Sequence, residues 1–172
     1  MRILVVSDNH GNQDILVILR HIYTSLYKDQ VQFIHLGDSQ SKKRLNGFVC
    51  VKGNNDLLTL PKTQELKIEH KKIYCTHGDE FEYSLDELYR TIDIYKPDIF
   101  LFGHTHCVIT EKYKHTLILN PGSLTLPRDG KNGSYMILNI ENNQVSYKII
   151  RIDIEMFMKQ YGWLTPHKKV SR

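Results

Sequence analysis

The sequence predicts an α/β protein, built as a single-domain α/β sandwich with mixed β-sheets. The chain has 172 residues, which is enough for one domain with a proper core and too few for two domains of ordinary size. Apolar strand-like runs alternate with helical periodicity in the first half of the chain. Strand-like runs separated by turns, with no helix between them, fill most of the second half. This change, from alternating strands and helices to successive strands, predicts a mixed arrangement of parallel and antiparallel strands.

The composition indicates a globular protein and argues against a membrane-spanning or exported one. Hydrophobic residues make up 41% of the chain and charged residues 24%, both ordinary values. No apolar run approaches the ~20 residues that span a bilayer. The apolar run at residues 3–6 meets Ser7 at once, so it predicts a first strand rather than a signal peptide, and the expected compartment is the cytoplasm.

The net charge of +4 is mild; it suits an anionic substrate and does not favour nucleic acid as a partner. Three cysteines at irregular spacing, Cys50, Cys75 and Cys107, argue against a disulfide framework or a structural zinc site. We expect them to be buried thiols in a reducing compartment.

The first half alternates strands with helices. Residues 3–6, 31–36, 48–51 and 98–102 are predicted strands, and residues 67–69 and 72–76 are predicted to form two strands joined by a turn. A helix follows the first strand, with Asn12 as its expected N-cap. Ser84 and Glu87 form a capping-box pattern before a second helix, which Pro97 ends.

The second half is predicted to be an antiparallel meander with strands at residues 107–110, 116–119, 134–140 and 144–152. Residues 153–172 are predicted to form a short helix and then a basic tail at residues 166–172. We interpret the whole chain, 1–172, as one domain with its core in about the first 150 residues.

Polar side chains follow several of the predicted strands. His104 and His106 lie one residue apart after an apolar strand, so their side chains project to the same side. In an α/β sheet, ligands bind at the carboxyl ends of the strands. The residues presented at those ends are Asp8, His10, Asp38, Asn54, His77, His104 and His106.

This residue set has the chemistry of a metal site. Carboxylates, an amide and imidazoles, with no thiolate, suit Mn, Fe, Zn, Co or Ni rather than Ca. Seven ligands are too many for one such ion. One aspartate able to bridge would let them serve two ions about 3.5–4 Å apart.

Five motifs occur in a fixed order along the chain: Asp-x-His from Asp8, Gly-Asp ending at Asp38, Gly-Asn-x-Asp from Gly53, His-Gly at His77, and Gly-His-Thr-His ending at His106. In this order the chain resembles the calcineurin-like metallophosphoesterases, over roughly residues 1–150. The chain length, the opening motif and the later Asn-Pro-Gly-Ser run at residues 120–123 resemble the small bacterial and archaeal phosphodiesterase branch.

The resemblance implies a role for each of these residues. It places Asp8, His10 and His106 on a first divalent metal and Asn54, His77 and His104 on a second, with Asp38 bridging both. It implies a metal-dependent phosphodiesterase in which a hydroxide held between the two metals attacks phosphorus. Asp38, Asn54 and His77 would then serve catalysis by positioning that hydroxide and the phosphate. Two transition-metal ions are implied, with manganese favoured and Ni, Fe, Zn or Co as alternatives, and the partner is a small phosphoester substrate.

Several positions beside the motifs are interpreted separately. Larger relatives carry a histidine proton donor where this chain has Asn55, so we expect no general acid there. Asp56 would orient a histidine or cap a turn, and Arg128 would meet phosphate or form a surface salt bridge. The loop of Gly11 and Asn12, at the N-terminus of the first helix, would add positive potential for an anion. Asp79 stands where some relatives carry a further histidine, which leaves a contribution there open.

The remaining five histidines lie outside the five motifs. His21, His35, His70, His115 and His167 are interpreted as ordinary structural or surface residues. The alternatives to an enzyme of small substrates are a protein-binding scaffold, as in the small retromer coat subunit, and a nuclease of the same superfamily. The complete ligand set favours an enzyme over a scaffold. No membrane partner is expected, and a homo-oligomer is compatible with the sequence.

Overall fold

The computed structural model describes residues 1–81 and 84–165 and shows ten strands and three α-helices in these ranges. The strands are β1 (Arg2–Val6), β2 (Val31–His35), β3 (Phe48–Cys50), β4 (Thr63–Ile68), β5 (Lys71–Thr76), β6 (Ile99–Leu101), β7 (Val108–Tyr113), β8 (Thr116–Pro121), β9 (Gly133–Glu141) and β10 (Gln144–Ile152). The helices are α1 (Gln13–Tyr27), α2 (Leu85–Tyr95) and α3 (Ile154–Tyr161), with short 3₁₀ turns at Lys28–Gln30, Asp79–Phe81 and Gly162–Leu164.

The strands form two five-stranded sheets, and both are mixed. The first has the order β10-β9-β1-β2-β3, with β1, β2 and β3 parallel and β9 antiparallel to its neighbours. The second has the order β4-β5-β6-β8-β7, with β5, β6 and β8 parallel and an antiparallel strand at each edge. The predicted α/β sandwich with mixed sheets is therefore confirmed.

The alternation of side chains along each strand produces three hydrophobic layers. Ile3 and Val5 of β1 pack in one cluster with Ile73 and Leu101 of the second sheet, so the two sheets face each other. Leu4 and Val6 belong to a second cluster, which includes residues of α1. Strand β1 is thus buried on both faces, as its continuous apolar run predicts. The third cluster packs α2 against the outer face of the second sheet.

Some element predictions need correction. The second half is not one meander, because the β7–β8 hairpin joins the second sheet while the β9–β10 hairpin joins the first. Strand β4 begins at Thr63 rather than at residue 67, and residue 107 lies outside β7. Helix α2 follows Ser84 as predicted, but the Ser84 side chain makes no capping hydrogen bond within the ranges described above.

Two smaller expectations are also resolved. Only Cys75 is fully buried, whereas Cys50 and Cys107 are half-buried free thiols. The helix predicted after residue 153 is α3, while the predicted basic tail lies outside the described residues. Among those residues, no helix combines the length and the apolar character needed to cross a membrane.

Candidate metal centre

The parallel strands of both sheets end on one side of the sandwich, and the polar motifs follow them there. Asp8 and His10 follow β1, and Asp38 follows β2. Asn54 lies after β3, His77 after β5, and the His104–His106 pair after β6. The structure brings all seven predicted side chains into one cluster, because the carboxyl ends of the central strands meet at this edge.

A first group of donor atoms consists of Asp8, His10 and His106, whose ligand atoms lie within 4.8 Å of one another. His106 Nε2 is 3.2 Å from Asp8 Oδ1 and 3.2 Å from His10 Nε2. His10 Nε2 is 3.9 Å from Asp8 Oδ1. Two imidazole nitrogens and one carboxylate oxygen therefore converge on a single point.

A second group consists of Asp8, Asp38 and His77, again within 4.8 Å. His77 Nε2 lies 3.7 Å from Asp38 Oδ2 and 3.0 Å from Asn54 Oδ1. The His104 ring meets the His77 ring edge-on with centroids 5.2 Å apart, and the His104 backbone N–H donates to Asp8 Oδ2 at 3.2 Å. Asp8 belongs to both groups, so the two groups are contiguous.

Backbone carbonyls orient two of the histidine rings. His77 Nδ1 lies 2.7 Å from the carbonyl oxygen of Leu36, and His106 Nδ1 lies 2.7 Å from that of Leu126. A carbonyl oxygen can only accept, so both Nδ1 atoms carry the proton. In the neutral rings the Nε2 lone pairs then face the cluster, as metal ligation requires.

The donor set fits a divalent transition-metal ion. Among the residues that the structure describes, Asp8 Oδ1 is buried without a hydrogen-bond partner, although two imidazole nitrogens lie near it. An unpaired buried carboxylate oxygen is costly unless a cation compensates it. Oriented imidazole nitrogens and carboxylate oxygens are the donors that such ions take.

The charges of the first group shift its protonation equilibria. Burial opposes ionisation of Asp8, but the nearby imidazoles of His106 and His77 outweigh it and lower the pKa of this carboxyl. Burial disfavours the charged form of His106, yet Asp8 raises the pKa of that imidazole. Burial prevails at His10, whose pKa is lowered despite Asp8 and Asp38. The aspartate is thus held as an anion.

The backbone of the cluster is strained. Five of the seven residues have left-handed backbone angles: Asp8 (φ 54°), His10 (φ 40°), Asp38 (φ 56°), His104 (φ 65°) and His106 (φ 59°). Such angles are uncommon for residues other than glycine, and they concentrate at functional sites where the surrounding structure enforces them. A Cβ on Gly53 would lie 2.1 Å from Asp38 Oδ1, so this glycine permits the loops to approach closely.

Asn55 and Asp56 hold the Asp38 loop. Asn55 donates to both Asp38 oxygens, from its backbone N–H to Oδ1 at 2.8 Å and from its side-chain amide to Oδ2 at 2.6 Å. The Asp56 carboxylate accepts hydrogen bonds from the backbone N–H groups of Asp38 and Gly53, both at 2.9 Å. It also accepts from Ser39 Oγ and the Gln40 N–H. Asp56 therefore ties a turn, which is the second of the two roles expected for it.

The remaining predicted residues lie at the edge of the cluster. Asn12 caps α1, with its side-chain oxygen accepting from the Ile15 N–H at 3.4 Å. Arg128 is exposed, and its backbone N–H donates to the His106 carbonyl at 3.0 Å. Within the described part of the chain its guanidinium makes no salt bridge, so its positive charge is available to an anionic ligand. Asp79 begins the short turn after β5.

Sequence reasoning missed several supporting residues. His35, interpreted as an ordinary core histidine, accepts from the Gly37 N–H at Nδ1 (3.1 Å) and contacts Asn9 Oδ1 through Nε2 (2.7 Å). It thereby connects the loops that carry Asp8 and Asp38, and burial lowers the pKa of its imidazole to about 4. Ser123 Oγ donates to the Asp8 carbonyl at 2.7 Å. The Asn-Pro-Gly-Ser resemblance was the signal that pointed to Ser123, whereas no local signal marked His35.

The fold and this cluster define a metallophosphoesterase. The sequence profile of the calcineurin-like phosphoesterase superfamily domain matches residues 1–143, and the chain belongs to that superfamily. A probable metallophosphoesterase of Bacillus subtilis, YsnB, is 32% identical over 155 residues, covering 86% of this chain and 89% of that protein. Phosphodiesterase YfcE of Escherichia coli is 31% identical over 101 residues, covering 53% of this chain and 52% of that protein.

Solved structures share the fold. A conserved uncharacterized protein of Streptococcus pneumoniae TIGR4, described as a predicted phosphoesterase, superposes with a TM-score of 0.77 at 25% identity, covering 87% of this chain and 88% of that one. Vps29 of Entamoeba histolytica, complexed with Zn²⁺, superposes with a TM-score of 0.66 at 26% identity, covering 89% of this chain and 99% of that one. The fold is therefore shared with a protein named for vacuolar protein sorting as well as with phosphoesterases.

Proposed function

We propose that this protein is a metal-dependent phosphodiesterase that hydrolyses a small phosphate diester at a centre of two divalent ions. The observation that carries the proposal is the pair of contiguous donor groups around Asp8, with a buried Asp8 oxygen that has no hydrogen-bond partner among the described residues. The similarity to phosphodiesterase YfcE supports the choice of a diester.

We assign Asp8, His10 and His106 to one ion. Asn54, His77 and His104 hold the other, and Asp38 bridges the two. Asp38 oxygens lie near His77 and belong to the group that also contains Asp8, which supports a bridging role. The two hydrogen bonds from Asn55 orient the Asp38 carboxylate and leave each oxygen a further lone pair for an ion.

When bound, the two cations supply an activated water as nucleophile and neutralise the phosphate oxygens. The residues of the chain provide the rest. The carbonyls of Leu36 and Leu126 keep Nε2 of His77 and His106 directed at the centre. Asn55 is bound to Asp38 and has no ionisable proton, so the leaving oxygen departs as its anion or takes a proton from water.

Manganese is the ion we favour, since the site mixes carboxylate, amide and imidazole donors and contains no thiolate. Zn²⁺ bound to the similar Vps29 supports a divalent ion on this fold. Ni, Fe and Co remain alternatives of the same donor class. A scaffold that uses the fold only for binding would not require the donor set to be complete.

The experiment is hydrolysis by metal-free protein after addition of Mn²⁺, Ni²⁺, Zn²⁺ or Mg²⁺ in turn. The substrates are matched pairs of an aryl diester and the corresponding monoester. We expect metal-dependent hydrolysis, fastest with Mn²⁺, and a preference for the diester. Full folding and metal binding without hydrolysis of any ester would favour the scaffold instead.

A further inference from the structure

An apolar pocket of about 450 Å³ opens beside the candidate metal centre. This volume is within the range of small-molecule binding sites. Its walls come from the turn after β5, from α2 and from the residues around β6 and β7. The apolar lining consists of Phe81, Leu85, Leu88, Phe102 and Ile109.

The walls of the pocket are part of the packed core. Phe81, Leu88 and Phe102 are buried in the cluster between α2 and the second sheet, against which Ile109 also packs. Leu85 stands at the mouth of the pocket and is 66% exposed. Because these inner walls are fixed by core packing, binding against them costs little reorganisation of Phe81, Leu88 and Phe102.

The pocket is continuous with the metal centre. His104, which we assign to the second ion, lines the pocket together with Gly78 next to His77. Arg128 also lines the pocket, and its backbone N–H donates to the His106 carbonyl. A group bound in the pocket is thus adjacent to a centre for a phosphate and to a cationic side chain. This combination fits an apolar substituent attached to a phosphate anion.

We propose that this pocket binds an apolar, ring-containing ester group of the phosphodiester, the one that stays on phosphorus after hydrolysis. The inference rests on the proposed phosphodiesterase activity and names the class of substrate. In hydrolysis the attacking water loses a proton to solvent and its oxygen bonds to phosphorus, while the bond to the leaving oxygen breaks. The leaving oxygen departs as its anion or takes a proton from water. The retained ester bond is unchanged.

The polarity of the surroundings assigns the retained rather than the leaving group to this pocket. The leaving oxygen gains negative charge, and apolar walls disfavour a developing anion. On the Asn54 side of the centre lies a different depression, lined by charged residues of both signs that include Lys52, Lys62, Asp79 and Glu80. A departing anion on that side can pair with a lysine, which the five apolar side chains of the first pocket do not offer. The apolar pocket instead stabilises the binding of an ester group that a monoester lacks. It therefore also accounts for a preference for diesters over monoesters.

The test compares two diesters with the same leaving group, methyl 4-nitrophenyl phosphate and phenyl 4-nitrophenyl phosphate. Because leaving-group chemistry is identical, a difference in kcat/KM reports the retained group. We expect the phenyl diester to be favoured about 10- to 100-fold, the discrimination that burial of an apolar ring provides. Equal values for the two diesters would overturn the pocket assignment while leaving the phosphodiesterase proposal intact.

Variants at matched positions sharpen the test. Leu85 and Ile94 both lie on α2 with 66% and 67% exposure, but only Leu85 lines the pocket. Leu85→Gln should lower the phenyl preference about 3- to 10-fold, and Ile109→Thr, on β7, should do the same. Ile94→Gln should leave it unchanged. Equal slowing of both diesters by Leu85→Gln would place the leaving group in the pocket and overturn the proposal.

A binding measurement separates the pocket from turnover. Titration calorimetry with phenylphosphonate and methylphosphonate, on metal-loaded protein, should show tighter binding of the phenyl compound and a smaller difference in Leu85→Gln. A protein that shows this preference but hydrolyses no diester would contradict the proposed function and retain the pocket. A protein that hydrolyses diesters but binds both phosphonates equally would contradict the pocket alone.

Discussion

The buried His35 side chain connects the two loops that carry Asp8 and Asp38. Protonation of its imidazole should be unfavourable in the folded chain. The side chain is 1% exposed, and its two ring nitrogens contact the Gly37 N–H and Asn9 Oδ1. A second proton on the ring would remove the acceptor that Gly37 uses. Burial accordingly lowers the pKa of His35 from 6.5 to about 4.

The sign of the resulting pH dependence follows from that shift. Between pH 6.5 and 4 the unfolded chain binds a proton at His35 and the folded chain does not. The contribution of His35 to the free energy of unfolding is therefore fully present above about pH 6.5 and is lost as pH falls towards 4. The shift corresponds to roughly 3–4 kcal/mol at most.

The assay is urea unfolding of metal-free wild type and His35→Gln at a series of pH values from 7.5 to 4.5. We expect the variant to be less stable by about 1–3 kcal/mol at pH 7.5, from lost hydrogen bonds and packing. The difference in the free energy of unfolding between the two proteins should shrink as pH falls. The contributions of the other histidines cancel in this difference because both proteins contain them. Replacing the exposed His115 by Gln should change stability by less than about 0.5 kcal/mol. A gap that is constant across the series would refute the reasoning.

Three further predictions concern the cluster itself. Asp38→Asn should lose more metal per chain on dialysis than His10→Gln, because a bridge serves both ions; equal loss in the two variants would remove the case for bridging. Gly53→Ala places a Cβ 2.1 Å from Asp38 Oδ1, so chelator competition should show at least about 10-fold weaker metal binding. Gly130→Ala has no neighbour within 4 Å and strains only its own turn at φ 70°, so its metal binding should be normal. With Asn55 in place of a general acid, which typically contributes ~10²–10⁴-fold, rates on a series of aryl diesters should depend steeply on leaving-group pKa. A flat dependence would mean that another residue donates the proton.

The sequence predicted those parts of the fold that depend on local patterns. The apolar run of β1 and the periodicity of α1 each specify an element without reference to its partners. The partner sheet of each late hairpin could not be predicted in this way. The β7–β8 and β9–β10 hairpins have similar local patterns, yet β8 pairs with β6 and β9 pairs with β1. That choice depends on long-range packing.

The same distinction applies to the cluster. The clustering of the seven side chains could be predicted because strand ends in an α/β sheet converge on one edge. His35 was missed because its importance depends on Asn9, 26 residues away in the chain. Asn55 was interpreted only as a missing proton donor, since its contact with Asp38 requires two separate loops to meet.

The central claim is that the seven side chains form one catalytic centre of two divalent ions. The most direct measurement follows hydrolysis of an aryl phosphodiester by metal-free protein while Mn²⁺ is added in known equivalents and bound metal is determined. We predict two bound ions per chain, with activity that rises to its full value only as the second ion binds. Full activity at one equivalent, or two tightly bound ions without any hydrolysis, would contradict the account.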